Sequence, residues 1–234
     1  KVINGVLLVC AAAMLFICYR SIAGQQEFDD AVKAREKAVK ARLVEIRDAE
    51  EAYKLRHGEY CDNFDSLIAF VKTGTIPVVI KAGELTEAQL EKGLTESKAA
   101  AIVARGNAAE IAANGLVGFS RDTSWVSIID SLFLSKNPEF DPEELRYIPG
   151  SDEGDVKEKQ QFELLAVMIK TKSEAIIPVM ECGATYSQYM VGDSKLWKRE
   201  CANKTELANS QGAYDGLKIG DASLNWNNNA GNWE

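Results

Sequence analysis

Five cysteines, one histidine and a few close-set carboxylates carry whatever chemistry this chain of 234 residues can do. Cys10 and Cys18 fall in an uncharged apolar run, where a thiol behaves as a small hydrophobe. Cys182 and Cys201 bracket the stretch GATYSQYMVGDSKLWKRE. A Cys182–Cys201 disulfide closing that loop would contribute about 3 kcal/mol through loop entropy and would need an oxidising compartment. The alternative is two unrelated thiols. No C-x-x-C pair is present, so neither a zinc ribbon nor a thioredoxin-type redox site is indicated. Asp152, Glu153 and Asp155 form a glycine-bounded acidic loop that could hold Ca²⁺, but the spacing fits a solvated turn better than a calcium loop. Asp62 and Asp65 could serve as paired carboxylates, although a helix N-cap at Asn63 or Asp65 accounts for them with less. His57 stands at an expected helix end, where a cation suits the helix dipole. Cys61 is a free-thiol candidate with nothing beside it in sequence to lower its pKa, and Asn203-Lys204-Thr205 is formally a glycosylation acceptor. The phosphate-loop, dinucleotide, nucleophile-elbow and H-E-x-x-H patterns are absent. We therefore expect no enzyme and no catalytic, cofactor-binding or metal residues.

Such residues need elements to hold them, and the elements follow from where charge is missing. Residues 1–24 carry only Lys1 and Arg20, whereas the rest carries 25 basic and 35 acidic groups, a net of −10. An acidic body argues against nucleic acid as a partner. Val2–Tyr19 is an uncharged run of 18 residues, long enough as a helix to cross the hydrocarbon layer and longer than a signal-peptide core, so we expect a retained anchor. With the bulk of the chain after a single span, the expected location is the bacterial inner membrane with the body in the periplasm.

Residues 25–57 contain no Pro or Gly. Val32, Val39, Ile46 and Tyr53 recur every seven residues, with Phe28, Leu43 and Ala49 beside them, and Lys, Arg, Glu and Asp fill most other positions. The spacing predicts a solvated stalk helix with one narrow apolar stripe, stopped at Gly58. Arg35 and Arg42 stand at the complementary positions of a coiled-coil heptad, so the stripe is expected to face the chain's own globule or a single partner.

Beyond the stalk, the pattern reads as an α+β domain with a small antiparallel sheet and short helices. A strand is expected at Ile76–Ile80, then two short helices started by Thr86 and Thr95, broken at Gly93 and stopped at Gly115. Strand-like alternation follows from Arg121 to Phe133, and a short strand at Leu145–Ile148. Phe162–Lys170 and Glu174–Met180 read as a hairpin, whose first strand is apolar on both faces and so expected to be central in the sheet. The tail GDASLNWNNNAGNWE is too polar to pack alone, yet holds Trp226 and Trp233, so it is read as a strap or a docking segment. The expected organisation is an anchor at 1–24, a stalk at 25–58 and a periplasmic α+β domain at 59–234.

Over the first 70 residues or so, the uncharged span running into a long helix, then Ile46, Ala49, Tyr53, Gly58 and Tyr60 followed by Phe64 and Leu67, resembles the spine-to-globule transition of type IV pilins and type II secretion pseudopilins. That resemblance implies a helix that polymerises through its apolar half and carries a sheet domain on the other. Two departures stand out: no glutamate lies near the start of the span, and Cys61 stands where a proline often follows the glycine–tyrosine pair. The remainder, from Leu145 to the terminal NNNAGNWE, resembles an uncharacterised family of membrane-anchored proteins of diderm bacteria, which brings no activity with it. Together these readings lead us to expect a structural or accessory subunit of a multi-protein membrane complex, in contact with lipid and with other membrane subunits through span and stalk. An ExbB/ExbD-type proton-driven motor is one subtype by analogy of plan, although the span lacks an Asp to carry protons. The alternatives are a minor pseudopilin-like component and a membrane-tethered ligand-binding domain.

Overall fold

The computed structural model describes residues 2–223 and 227–234, with the side chains of residues 2–10, 12, 18, 19, 21, 22 and 79 outside that description. The first element is one uninterrupted helix, α1 (Val2–His57). Lys54 and Arg56 put positive charge at its carbonyl end, and Gly58, at φ +83°, ends it while donating its N–H to Lys54 O at 2.8 Å. The left-handed backbone that this exit needs is one that glycine adopts without strain. Among the described residues, no helix is long and apolar enough to cross a membrane. The expected span at Val2–Tyr19, with Cys10 and Cys18, has most of its side chains outside the described residues. Trp226 lies outside them too.

The chain then runs through α2 (Phe64–Thr73), β1 (Thr75–Ala82), α3 (Glu87–Glu91), α4 (Glu96–Ala104), α5 (Ala108–Ala113) and β2 (Ser120–Ser127). A π-helical turn (Ile129–Leu134) and a 3₁₀ turn (Pro142–Arg146) lead to β3 (Glu163–Lys170), β4 (Ile176–Thr185), α6 (Tyr186–Tyr189), α7 (Lys195–Ser210) and β5 (Gly216–Gly220). These elements form two compact units, one made of residues 1–72 and 139–234 and the other of residues 73–138, so the region after the stalk is divided rather than one domain.

In the larger unit, α1 lies against a three-stranded antiparallel sheet in the order β3-β4-β5. Val39, Leu43, Ile46 and Ala49 are wholly buried, and so are Leu67, Leu145, Ile148, Met180, Tyr189 and Ile219. Burying an aliphatic side chain of this size contributes roughly 1.5–3 kcal/mol, so this seam fixes the body to the helix. Here β4, not β3, is the central strand: β5 pairs with β4 from Glu181 to Thr185, and β3 is left on the edge. Continuous apolarity misleads in this case because neither face of the strand is fully covered: Leu165 on one face and Met168 on the other are each about half exposed. Leu145–Ile148 is not a strand either. Asp141 caps the 3₁₀ turn through Glu143 N at 3.0 Å, and only a bridge between Tyr147 and Gln161 follows.

In the smaller unit, β1 and β2 form a two-stranded antiparallel ribbon from Thr75 opposite Ser127 to Ala82 opposite Ser120. Three helices, not two, follow β1, because Asn107 starts a third by accepting from Ala109 N and Glu110 N at 3.1 and 3.3 Å. Ala99, Leu116 and Phe119 make a small core beneath them. Strand β2 stops short of Phe133: Ile128 N donates to Gly74 O at 3.1 Å, the point where β1 begins, and past it no strand residue remains to pair.

Candidate functional site

The seam between α1 and the body gathers most of the residues with chemical potential. Its first part is a clasp around Arg35, whose side chain is only 8% exposed. The guanidinium donates to Tyr189 O at 3.2 Å, to Val191 O and to Glu153, and lies 4.1 Å from the centre of the Trp197 ring. Phe28 meets the same ring edge-on at 5.1 Å. Gly192 permits the fit, since a Cβ there would run into the Trp197 indole. Beside it, Lys204 donates to Glu36 at 2.9 Å. Every charge here faces a partner, and the cation–π contact adds to the hydrogen bonds.

The second part lies further along α1. Glu50 is wholly buried; its Oε2 accepts from Cys61 N at 2.9 Å, while its Oε1 has no hydrogen-bond partner. Desolvation, less the help of the Cys61 N–H and with Asp62 adding repulsion, pushes its pKa up to about 8. The neutral acid is therefore the form held at neutral pH. Burial also raises the thiols of Cys61 and Cys182, with Glu50 adding to both. Neither is poised as a thiolate nucleophile. Tyr53 and His57 stack at 4.2 Å, and Phe70 meets Tyr53 edge-on at 5.0 Å, closing the end of the helix.

The C-terminal residues complete the seam. Gly231 bridges to Ile219, Arg47 holds Asn229 O at 3.3 Å and Glu234 at 3.1 Å, and Asn229 donates to the Tyr60 hydroxyl at 2.7 Å. Lys40 stands 5.6 Å above Trp233. Of the two roles read for the tail, strap is the one that residues 229–234 fill.

Val32, Val39 and Ile46 are buried and Tyr53 half-buried against the chain's own body, so the stripe does not face a partner. Cys182 and Cys201 are free thiols and the expected bridge is absent: Cys182 is sealed in β4 and Cys201 lies midway along α7. Asp152 and Asp155 are exposed and Glu153 is turned to Arg35; among the described residues no group of acids, thiols and imidazole could hold a metal ion. Asn63 is the cap of α2, accepting from Asp65 N at 2.7 Å, and Asp65 pairs with Arg146 at 2.5 Å.

Arg35 and Glu50 escape a reading by charge alone. Glu50 did carry a signal, since it follows Leu43 by seven residues and so occupies a stripe position. Comparison of the chain with protein-family models, with curated proteins and with solved structures finds no match in any of the three.

Proposed function

We propose that this protein is a membrane-anchored, non-catalytic subunit of a larger assembly, with the N-terminal part of α1 in the inner membrane and the body on its periplasmic side. One observation carries the reading. Met14, Leu15, Phe16 and Ile17 are 63%, 72%, 61% and 65% exposed. Four consecutive helical residues point to all sides at about 100° each, so α1 is apolar and bare around its full circumference there. A surface of that kind is stable in lipid or against other apolar helices, not in water. Further along, the same helix is buried by its own body from Val32 onward. The plan agrees with an accessory subunit of an ExbB/ExbD-type motor, and the body's grip on the C-terminal half of the spine favours a pseudopilin-like component as the second reading.

Alkaline extraction of membranes from cells making the full chain tests the anchor. The protein is expected in the membrane pellet, and Leu15→Lys combined with Phe16→Asp is expected to release it; wild-type protein in the supernatant would overturn the proposal. Purification in mild detergent tests the assembly, which fails if the protein emerges alone. Recovery as helical filaments would favour the pseudopilin-like reading.

A further inference from the structure

A sheet grows at its edges, and the two edges of β3-β4-β5 differ. The outer side of β5 is occupied: Asn232 N donates to Lys218 O at 2.9 Å and Gly220 N to Ala230 O at 3.0 Å. The outer side of β3 is occupied only at its approach, where Phe162 N donates to Arg146 O at 2.9 Å and Ile148 N to Gln160 O at 2.8 Å. From Leu164 to Lys170, no backbone bond forms on that side among the described residues.

Pro178 decides which amides that edge presents. It stands opposite Met168 and has no N–H, so their pair is the non-hydrogen-bonded kind of an antiparallel ladder. Pairs alternate, so Leu164, Ala166, Met168 and Lys170 turn their N–H and C=O groups outward. The bond from Thr171 N to Ala175 O at the hairpin end follows the same alternation.

Two clefts follow one another along this strand. Ala166, Val167 and Met168 line one with Glu59, Tyr60 and Pro178; Phe162 and Leu164 line the other with Asp62, Asp65 and Arg146. The lining therefore holds three exposed carboxylates against one guanidinium, and that guanidinium is already paired with Asp65. The wall lies on the face of the sheet that carries Leu164, Ala166 and Met168, which line the two clefts with it. The opposite face of β3 offers Leu165, half exposed, and Val167.

We propose that the open edge of β3 is a strand-addition site for an extended segment of a partner protein, basic on the side that meets Glu59, Asp62 and Asp65 and aliphatic on the side that continues Leu165 and Val167. Main-chain hydrogen bonds supply the affinity and the alternating side chains the specificity. A second copy of this chain fits less well. Pairing β3 with itself about a two-fold axis keeps the same face of both sheets together and sets two linings with the same net negative charge against each other. The proposal rests on the assembly reading and names the chemistry of the partner.

The test uses the full chain in detergent micelles and two labelled, capped heptapeptides, one alternating valine with lysine and the other valine with glutamate. Fluorescence anisotropy is expected to show the lysine peptide binding at least tenfold tighter, with affinity falling as salt rises. Hydrogen exchange is expected to slow at the amides of Leu164, Ala166, Met168 and Lys170. Ala166→Pro, which removes one outward N–H, is expected to lower affinity tenfold or more. Glu59→Lys with Asp62→Lys, both on exposed loop positions, is expected to reverse the peptide preference. Equal binding of both peptides, no binding, or protection elsewhere would overturn the proposal. Protection of these amides by concentration-dependent dimerisation without peptide would also overturn it, by making a second copy the occupant. Peptides that fail while the protein still co-purifies with membrane partners would break this proposal and leave the assembly reading standing.

Discussion

The body holds α1 at two places by opposite means, and the contrast explains what each can respond to. Around Arg35 the grip is ionic and aromatic: one guanidinium serves two carbonyls, a carboxylate and an indole face, and Lys204 with Glu36 reinforces it. Around Glu50 the grip is a neutral acid in an apolar seam with a single hydrogen bond. A desolvated charge is tolerable only where partners replace its water, whereas a carboxyl with one partner stays protonated. The second grip should therefore respond to pH near neutrality.

Arg35→Ala is expected to have the largest effect, because it strips the donor from the Tyr189 and Val191 carbonyls and the cover from Trp197. Urea unfolding of the full chain should show a loss of roughly 2–4 kcal/mol. A smaller but more telling change comes from pH. The folded pKa of Glu50, about 8, lies above its ordinary 4.5, so between those values the folded state binds the extra proton. Its stability contribution is fully present below about pH 4.5, falls as pH rises, and is gone above about pH 8. Wild-type protein should lose at least about 1.4 kcal/mol across that window, and Glu50→Gln should flatten the profile. A variant with the wild-type slope would assign that slope to another group.

A double-mutant cycle on Arg35 and Trp197 should return a coupling of roughly 0.5–1 kcal/mol, which isolates the ring contact from the carbonyl bonds. Glu153→Gln is the smallest of the series. The Glu153 side chain is 55% exposed, so water screens its pair with Arg35, and removal of its charge should change the unfolding free energy by less than about 1 kcal/mol. If Glu153→Gln costs as much as Arg35→Ala, the ionic grip depends on its carboxylate after all.

How much of this was legible in the sequence depends on the range of the interaction. Local signals read well: the unbroken helix to Gly58, the Thr86–Gln89 capping box and the hairpin turning at Thr171 all rest on residues within a few positions of one another. Readings that needed the other side of a contact fared worse. Whether β3 is central depends on where β5 pairs, some fifty residues later, and nothing within Glu163–Lys170 encodes that. Arg35 looks like any solvated heptad charge until Trp197 and the Tyr189 carbonyl arrive from the far end of the chain. The Cys182–Cys201 reading failed for a related reason: loop entropy says what a bridge would be worth, not whether the fold brings a thiol of β4 to one of α7, and both are free. Asp62 and Asp65, weighed as a catalytic pair, are better understood as one wall of a cleft, a role that no spacing rule reveals.

The 56 residues of α1 form a rod about 84 Å long, with no glycine or proline from Gln25 to His57 to act as a pivot. A lever of that length converts small angles into large displacements: tilting it by about 10° moves its far end by roughly 15 Å. Because the body is bolted to the rod at two separate points within that stretch, inclination of the stalk carries the body with it.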